Sequence, residues 1–420
     1  MSRSLGLSFF FILLGLVDWY ILGAIKNLTK NLSAEAQRNI SILFWSISII
    51  SLLTIISGFF VFNDRLSFKT RNWIISFIFI LYSSKLIAAV GLILVDLWKA
   101  INWLFVSAKT MIETKKPEES IADTLPKIDR SKFLTQAALG IGALHVGAMT
   151  WGIISGAHDY RIRRIPLKLA NLPKQFHGLK LIQISDIHSG SFFNKTAVEG
   201  GIDLLMAEKP DMVFFTGDLV NNESSELNEY FDIFKKVKAP LGVFSTLGNH
   251  DYGDYKQWNS PEEKVKNLQT LIEGHKLLGW DLLQDTHRKI TVDGDSIDVL
   301  GIQNWGEGFK QMGDLKKALN YQEKADVKLL LSHDPTHWRA QVLDKTDISA
   351  SFAGHTHGMQ YGVEIGSFKW SPAQFRYKEW AGLYEENNQQ LYVNRGYGYL
   401  GYPGRVGILP EITVFELQRA

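Results

Sequence analysis

The apolar residues of this chain follow one pattern before about residue 158 and a different pattern after it. Before that point they form four long runs with few charges inside them, at 5–25, 40–62, 73–98 and 133–157. Since a helix needs about 20 predominantly apolar residues to cross the core of a bilayer, these runs predict four transmembrane helices. We place the first three within residues 1–108 and the fourth at 133–157, with a polar, solvated linker at 109–132 between them.

Two alternatives to membrane spans explain this pattern less well. Helices buried in a soluble domain do not account for three such runs in the first hundred residues, separated by short basic loops. A cleaved signal peptide needs only one apolar region, whereas here the runs repeat. Asp18 and Lys85 lie near the middle of the first and third runs, and we expect them to form a structural ion pair because isolated charges are costly in lipid. A proton relay would need more titratable partners.

The basic residues beside the spans bear on membrane orientation. Residues 99–132 hold the densest basic run, which the positive-inside rule places in the cytoplasm, leaving the C-terminal part outside. The segment 129–134, DRSKFL, resembles a degraded twin-arginine export signal and favours the same orientation. Arg161, Arg163 and Arg164 follow the fourth span and favour the opposite one. We predict an integral protein of a bacterial inner membrane with its C-terminal domain on the periplasmic side.

From residue 158 to 420, short apolar runs alternate with amphipathic stretches, which is typical of a layered α/β domain. Ser260 is the expected N-cap of a helix that starts at Pro261. Strands are predicted at 179–185, 212–215, 242–246, 297–302, 327–331, 348–352, 390–394 and 412–417, and helices at 195–208, 225–236 and 261–278.

Five of these strands are followed directly by polar residues that can bind metal ions. In layered α/β proteins ligands bind at the carboxyl ends of strands, so we expect these side chains to converge on one site. Carboxylate, amide and imidazole ligands without thiolates suit Mn, Fe or Zn ions, and the set is too large for one tetrahedral ion. Two metal ions suit the hydrolysis of a phosphoester. The segments are Asp186-Ile187-His188, Gly217-Asp218, Gly248-Asn249-His250-Asp251, His333-Asp334 and Gly354-His355-Thr356-His357.

Composition narrows the chemistry further. The sequence contains no cysteine, which excludes disulfides, thiolate zinc sites, iron–sulfur clusters and cysteine nucleophiles. The formal net charge of +2 gives no support to a protein that coats nucleic acid, so no specific nucleic-acid partner is expected.

The ordered motifs Asp-x-His, Gly-Asp, Gly-Asn-His-Asp, a lone His and Gly-His-x-His resemble the calcineurin-like metallophosphoesterase superfamily, over residues 175–420. The segment Val393-Asn394-Arg395-Gly396 and the tail from Pro403 are similar to its bacterial membrane-anchored, YkuE-like branch. Met359 stands where a second glycine is more usual. The resemblance implies an α/β fold in which the transmembrane helices precede a four-layer αββα sandwich of two mixed sheets flanked by helices.

The resemblance also implies the metal ligands. The first ion would be held by Asp186, His188 and His357, the second by Asn249, His333 and His355, and Asp218 would bridge the two.

Five further residues are candidates for catalysis or substrate binding. The resemblance implies that His250 protonates the leaving oxygen or stabilises the transition state, and the neighbouring Asp251 is placed to orient it. Arg395 and Arg405 are candidates to bind a substrate phosphate, since a guanidinium can bind phosphate through two hydrogen bonds. Asn221 is a further candidate, and a surface position is the alternative for each of the three.

We therefore predict a membrane-anchored, binuclear metal-dependent phosphohydrolase that cleaves a phosphodiester, pyrophosphate or phosphomonoester. A tether beside the bilayer favours a lipid-linked substrate. One alternative is a UDP-2,3-diacylglucosamine pyrophosphatase-like hydrolase of a lipid precursor, which requires a cytoplasmic active site. Another is a membrane sensor with a regulatory metallophosphoesterase module, for which Asp18 and Lys85 are the only support.

Overall fold

The structure, a computed structural model, describes residues 3–60, 68–112, 130–322 and 324–420. The chain divides into two compact units, Met1–Thr150 and Trp151–Ala420. Most of the predicted linker at 109–132 and the end of the predicted second span lie outside the described residues.

Four long helices make up the N-terminal part. They are α1 Arg3–Leu28, α2 Ala34–Phe60, α3 Phe68–Ile112 and α4 Arg130–Ile154. Each is long and apolar enough to cross a membrane, and between 11% and 44% of their most apolar segments is buried inside the protein. Apolar side chains therefore face outward, as a lipid environment requires. The prediction of four apolar N-terminal helices is confirmed.

A polar contact network lies inside this helical unit. Lys85 Nζ on α3 donates to Asp18 Oδ1 on α1 at 2.5 Å and to Ser48 Oγ on α2 at 2.8 Å. Tyr82 donates its hydroxyl to the other oxygen of Asp18 at 3.1 Å. The expected pairing of Asp18 with Lys85 is confirmed, and it ties together three helices.

The second unit is a mixed α/β domain. Its α-helices are α5 Lys195–Ala207, α6 Phe231–Phe234, α7 Pro261–Leu278 and α8 Leu315–Ala318. Its strands are β1 Arg161–Leu169, β2 Lys180–Ile184, β3 Met212–Phe215, β4 Val243–Ser245, β5 Asp281–Leu282, β6 Thr286–Val292, β7 Asp295–Gly301, β8 Lys328–Leu331, β9 Ala350–Ala353, β10 Val363–Ile365, β11 Phe368–Trp370, β12 Gly382–Glu386, β13 Gln389–Val393 and β14 Glu411–Arg419.

The strands form two six-stranded sheets and one hairpin. The first sheet has the order β1-β14-β2-β3-β4-β5, the second has the order β12-β13-β9-β8-β7-β6, and β10 pairs with β11 alone. Strands β2 to β5 run parallel in the first sheet, as do β7, β8, β9 and β13 in the second. Both sheets are mixed, because β14 is antiparallel to β2, and β6 and β12 are antiparallel to their neighbours.

Three apolar clusters separate the layers. The middle cluster fills the space between the two sheets, where Phe214 of β3 meets Phe352 of β9 with ring centroids 5.1 Å apart. The other two clusters lie on the outer faces of the sheets, one with α5 to α7 and the other with α8. This arrangement confirms the predicted αββα sandwich.

One predicted helix is wrong. Instead of a helix at 225–236, the chain forms a 3₁₀ turn at Ser224–Leu227 and the separate four-residue helix α6. The carboxylate of Glu226 accepts hydrogen bonds from the backbone amides of Asn221, Asn222 and Glu223, which holds the chain in a loop. The helix at Pro261–Leu278 has the predicted cap, since Ser260 Oγ accepts the amide of Glu263.

Candidate metal centre

The carboxyl ends of five strands, β2, β3, β4, β8 and β9, meet at one edge of the two sheets. Each strand ends two to four residues before a polar residue of the sequence motifs. The structure brings six of these residues into two groups, each with ligand atoms within 4.8 Å of one another. The first ligand group is Asp186, His188 and His357, and the second is Asp218, His333 and His355.

In the first ligand group, two imidazole nitrogens face each other. His188 Nε2 lies 3.1 Å from His357 Nε2, and His357 Nε2 lies 3.2 Å from Asp186 Oδ1. His188 Nδ1 donates to Asn221 Oδ1 at 3.1 Å, so its Nε2 carries a lone pair that points into the site. Two ring nitrogens and a carboxylate oxygen around one point are a donor set that suits a divalent metal ion.

The second ligand group has the same character. His333 Nδ1 donates to the carbonyl oxygen of Thr216 at 2.7 Å, which directs Nε2 toward Asp218 Oδ2, 3.2 Å away. His355 Nδ1 lies 3.3 Å from His333 Nε2 and 2.9 Å from Asn249 Oδ1. Asn249 therefore joins the second ligand group through its amide oxygen.

Asp218 lies between the two groups. Its Oδ2 is 3.5 Å from His188 Nε2 of the first group and 3.2 Å from His333 Nε2 of the second. The side chain is almost completely buried, with 1% of the residue exposed. One carboxylate thus faces both candidate ion positions, which is the geometry of a bridging ligand.

The buried charges make the site strongly attractive to cations. Burial opposes ionisation of Asp186, but the neighbouring His357 holds the pKa of that carboxyl below its ordinary value. Burial also opposes protonation of His333, yet the charge of Asp218 raises the pKa of His333 to about 10. Burial lowers the pKa of His188 and of His355. Buried carboxylates and imidazoles gathered around two points are donor sets for divalent ions, and a bound ion would replace the proton on His333, so the residues present fit the two metal ions that the motifs imply.

Strained backbone holds these ligands in place. Five of the six residues in the two groups have positive φ angles: 52° at Asp186, 51° at His188, 60° at Asp218, 71° at His355 and 50° at His357. A left-handed conformation costs a non-glycine residue about 1–2 kcal/mol. Such strain is concentrated at functional sites, where the surrounding fold over-determines the conformation.

His250 faces the site beside Asp218. Its amide donates to Asp218 Oδ1 at 2.9 Å, and its ring Nδ1 donates to the carbonyl oxygen of Asn221 at 2.9 Å. The ring centroid lies 5.0 Å from that of His188 and 4.4 Å from that of Tyr255. With Nδ1 engaged, Nε2 is the nitrogen that can exchange a proton with a substrate.

Asp251 has a different role from the predicted one. Its carboxylate accepts the amides of Asp218, Leu219, Val220 and Gly248 at 2.8–3.3 Å, and these four hydrogen bonds engage both of its oxygens. Burial and the charge of Asp218 raise the pKa of Asp251 to about 7. Asp251 fixes the loop that carries Asp218, whereas the carbonyl of Asn221 orients His250.

The three candidate substrate residues are buried and have protein partners. Asn221 accepts from His188 and from Ser191, so it supports a metal ligand. Arg395 pairs with Glu411 and Glu364, each at 2.6 Å. The two carboxylates bind both terminal nitrogens of its guanidinium and leave only the buried Nε without a partner, which argues against the hypothesis that it binds a phosphate.

Arg405 is likewise an internal residue. Only 1% of it is exposed, and its guanidinium donates to the carbonyl oxygens of Arg395, Gly396 and Gly398. Its Nη2 lies 3.2 Å from His357 Nδ1. Both the phosphate-binding hypothesis and the surface alternative are therefore wrong for Arg405, which braces a loop against a metal ligand.

Three further side chains lie at the site: two tyrosines that the sequence did not indicate, and Asp334, to which it assigned no role. Tyr377 places its hydroxyl 2.9 Å from His355 Nε2, and Tyr255 accepts from Asn249 Nδ2 at 2.8 Å. Asp334 Oδ2 lies 3.5 Å from His355 Nε2. Only Asp334 carried a usable signal, since it directly follows His333 at the end of a strand. The two tyrosines lie in loops whose course the sequence pattern does not reveal.

Family models match both parts of the chain. The model for the calcineurin-like phosphoesterase matches residues 179–359, and the model for the probable calcineurin-like phosphoesterase, transmembrane domain, matches residues 2–157. The chain belongs to the calcineurin-like phosphoesterases. It is a metallophosphoesterase with a transmembrane domain, and divalent metal ions are the cofactors of this family.

Three relatives illustrate the range of similar proteins. "Transmembrane protein with metallophosphoesterase domain" from Danio rerio is 24% identical, covering 94% of this chain and 85% of that protein. "Uncharacterized metallophosphoesterase YkuE" from Bacillus subtilis is 28% identical, covering 70% of this chain and 99% of that protein. "UDP-2,3-diacylglucosamine pyrophosphatase LpxG" from Chlamydia trachomatis is 27% identical, covering 54% and 81%.

Proposed function

We propose that this metallophosphoesterase is a two-metal phosphohydrolase that cleaves a phosphoester or pyrophosphate carried on a lipid. The position of Asp218 Oδ2, within 3.5 Å of a histidine of each ligand group, is the observation that carries the two-metal part of the proposal. The four apolar helices support the lipid-linked part, because a tethered site meets membrane substrates at a high effective concentration.

The proposed ligands divide as the two groups do. Asp186, His188 and His357 would hold one ion, Asn249, His333 and His355 the other, and Asp218 both. When bound, two divalent ions would acidify a water molecule and neutralise charge on the phosphate. Asn221 and the carbonyl of Thr216 accept from Nδ1 of His188 and of His333, which directs Nε2 of each ring toward the proposed ion position.

His250 is the proposed proton donor to the leaving oxygen. The hydrogen bond from its Nδ1 to the carbonyl of Asn221 fixes the ring and leaves Nε2 facing the site. The ring of Tyr255, 4.4 Å away, limits its rotation. A general acid held in this way contributes about 10²–10⁴-fold to turnover.

A substrate panel tests the proposal. The full-length protein, purified in detergent and supplied with Mn²⁺, would be assayed with a lipid pyrophosphate, a phospholipid, a simple diester and a simple monoester. We expect the highest kcat/KM for a lipid substrate. Equal kcat/KM for the soluble and the lipid esters would contradict the lipid-linked part, and no turnover of any ester across metals and pH would favour the regulatory-module alternative.

The similarity to LpxG favours one specific version, hydrolysis of the pyrophosphate in a UDP-diacylglucosamine lipid. That version requires a cytoplasmic active site, whereas the basic residues 99–132 favour a periplasmic one at a bacterial inner membrane. Fusions of alkaline phosphatase and green fluorescent protein to the C-terminus distinguish the two orientations. An active phosphatase fusion with a dark fluorescent fusion excludes the cytoplasmic version.

A further inference from the structure

The hairpin of β10 and β11 has its charged residues turned inward and its apolar residues turned outward. Val363 pairs with Trp370, Ile365 with Phe368 and Glu364 with Lys369. Since directly opposed residues share a face and successive residues alternate, one face carries only apolar side chains and the other only charged ones. The apolar face is exposed: the exposed fraction is 40% for Val363, 73% for Ile365 and 60% for Phe368.

The charged face packs against the body of the domain. The carboxylate of Glu364 accepts from Arg163 at 2.5 Å and from Arg395 at 2.6 Å. Lys369 Nζ donates to the carbonyl oxygen of Ala381 at 2.5 Å and lies over the ring of Tyr384. These contacts fix the orientation of the hairpin, so the exposure of its apolar face follows from the fold.

The base of the hairpin lies next to the end of the fourth span. The amide of Gly362 donates to the carbonyl oxygen of Val406 at 2.9 Å, and the amide of Arg405 donates to the carbonyl oxygen of Gly152 in the last turns of α4 at 3.1 Å. A Cβ added at Gly152 would lie 2.8 Å from Val406 Cγ2, which shows how closely this loop approaches the helix. The last turn of α4, which belongs to the second unit, is therefore linked to the hairpin through one loop.

Two large apolar residues at the end of α4 are exposed. Trp151 and Ile154 belong to the second unit, and their exposed fractions are 66% and 67%. Tryptophan at the end of a transmembrane helix is typical of the membrane–water interface. The base of the hairpin is thus linked through one loop to a segment whose exposed apolar residues are typical of the membrane–water interface.

We propose that Val363, Ile365 and Phe368 dip into the membrane–water interface and contact lipid. A two-stranded hairpin with an apolar face is only marginally stable in water, whereas insertion removes that face from water. The hairpin begins six residues after the candidate metal ligand His357. Its insertion would hold the rim of the metal centre at the lipid surface.

Site-directed labelling tests this contact without reference to activity. The chain contains no cysteine, so Ile365→Cys introduces a unique thiol. The full-length variant, labelled with the fluorophore NBD, would be reconstituted into vesicles of phosphatidylethanolamine and phosphatidylglycerol. We expect quenching by nitroxide-labelled lipid and protection from aqueous iodide. Phe368→Cys gives a second position on the same face in case the first variant folds poorly.

Val265→Cys is the matched control. Val265 has an exposed fraction of 56% and lies on α7, which packs against β5, at the far edge of the first sheet from β1. We expect iodide to quench this label and nitroxide lipid to leave it bright. Iodide quenching at position 365 equal to that at 265 would overturn the proposal. Protection from both quenchers at 365 would overturn it too, because a protein surface would then cover the hairpin.

Discussion

The carboxylate of Asp218 lies within 3.5 Å of a histidine in each ligand group. Replacing Asp218 with Asn removes the shared negative charge while keeping the shape of the side chain. We expect Asp218→Asn to abolish turnover of a simple diester and to lower the bound metal below two ions per chain, measured by elemental analysis of the purified protein. Asp232→Asn makes the same chemical change at an exposed position and should alter neither quantity. Full metal content in Asp218→Asn would refute the bridging role.

His250 should behave differently because its proposed role is proton donor to the leaving oxygen and not metal ligand. We expect His250→Ala to lower kcat by about 10²–10⁴-fold, the usual contribution of a general acid, with the metal content unchanged. The comparison of kcat with metal content separates the two roles. Loss of metal from His250→Ala would instead make it a ligand.

A substitution at Asp251 separates its predicted role, which is to orient His250, from support of the loop that carries Asp218. An Asn side chain cannot accept hydrogen bonds from all four backbone amides that Asp251 binds, since one of its ends is a donor. We expect Asp251→Asn to weaken metal affinity by about 10–100-fold, as loss of support behind a ligand does. A changed pH profile of kcat with unchanged metal affinity would restore the hypothesis that Asp251 orients His250.

For single residues, the sequence identifies those that belong to a motif and directly follow a predicted strand. Asp186, His188 and Asp218 follow strands that are visible as apolar runs, so their convergence is predictable. Tyr377 and Arg405 reach the site through long loops, and the contacts that define their roles come from tertiary structure. A guanidinium that suits a phosphate also suits a ring of backbone carbonyls, so residue type alone misassigned Arg405.

At the level of elements, the predicted strands are those buried on both faces. Strands β2, β3 and β8 lie in mostly apolar runs of the sequence. Strands β1 and β6 carry several charged residues, so the apolar pattern did not predict them. β1 is held by its parallel register with β14, a pairing between residues more than 240 positions apart. Such a long-range pairing leaves no local signal.

A buried histidine at the contact between α7 and β4 should make the stability of the fold depend on pH. His275 is buried with its Nδ1 3.0 Å from Ser245 Oγ, and burial lowers its pKa to about 3. Below about pH 6.5 the unfolded chain binds a proton at this histidine while the folded chain does not, so stability is lost as the pH falls through this window. The loss is at most about 1.4 kcal/mol per pH unit.

His275→Gln removes the titrating group and keeps a hydrogen-bonding side chain. We expect its thermal unfolding midpoint to fall less between pH 6.5 and pH 4.5 than that of the unchanged protein, in the same detergent. Parallel pH dependences for the two proteins would show that His275 is not the acid-sensitive contact.

Over the whole molecule, the ion pair of Asp18 with Lys85 joins helices of the transmembrane unit. Removing one partner of a buried pair typically costs about 3–5 kcal/mol, because the other charge loses its partner. We expect Asp18→Asn to lower the thermal stability of the full-length protein and the further change Lys85→Met to restore part of it. Turnover of a soluble diester by the folded fraction should be unaffected. A changed kcat in Asp18→Asn would support the sensor alternative, in which this pair regulates the metal centre.

The proposed metal centre depends on one carboxylate, Asp218, that two ions share. A crystal structure of the full-length protein grown with Mn²⁺, with an anomalous difference map, would locate the ions. We expect two peaks about 3.5–4 Å apart, one beside each ligand group, with Asp218 between them. A single peak, or two peaks that do not share Asp218, would contradict it.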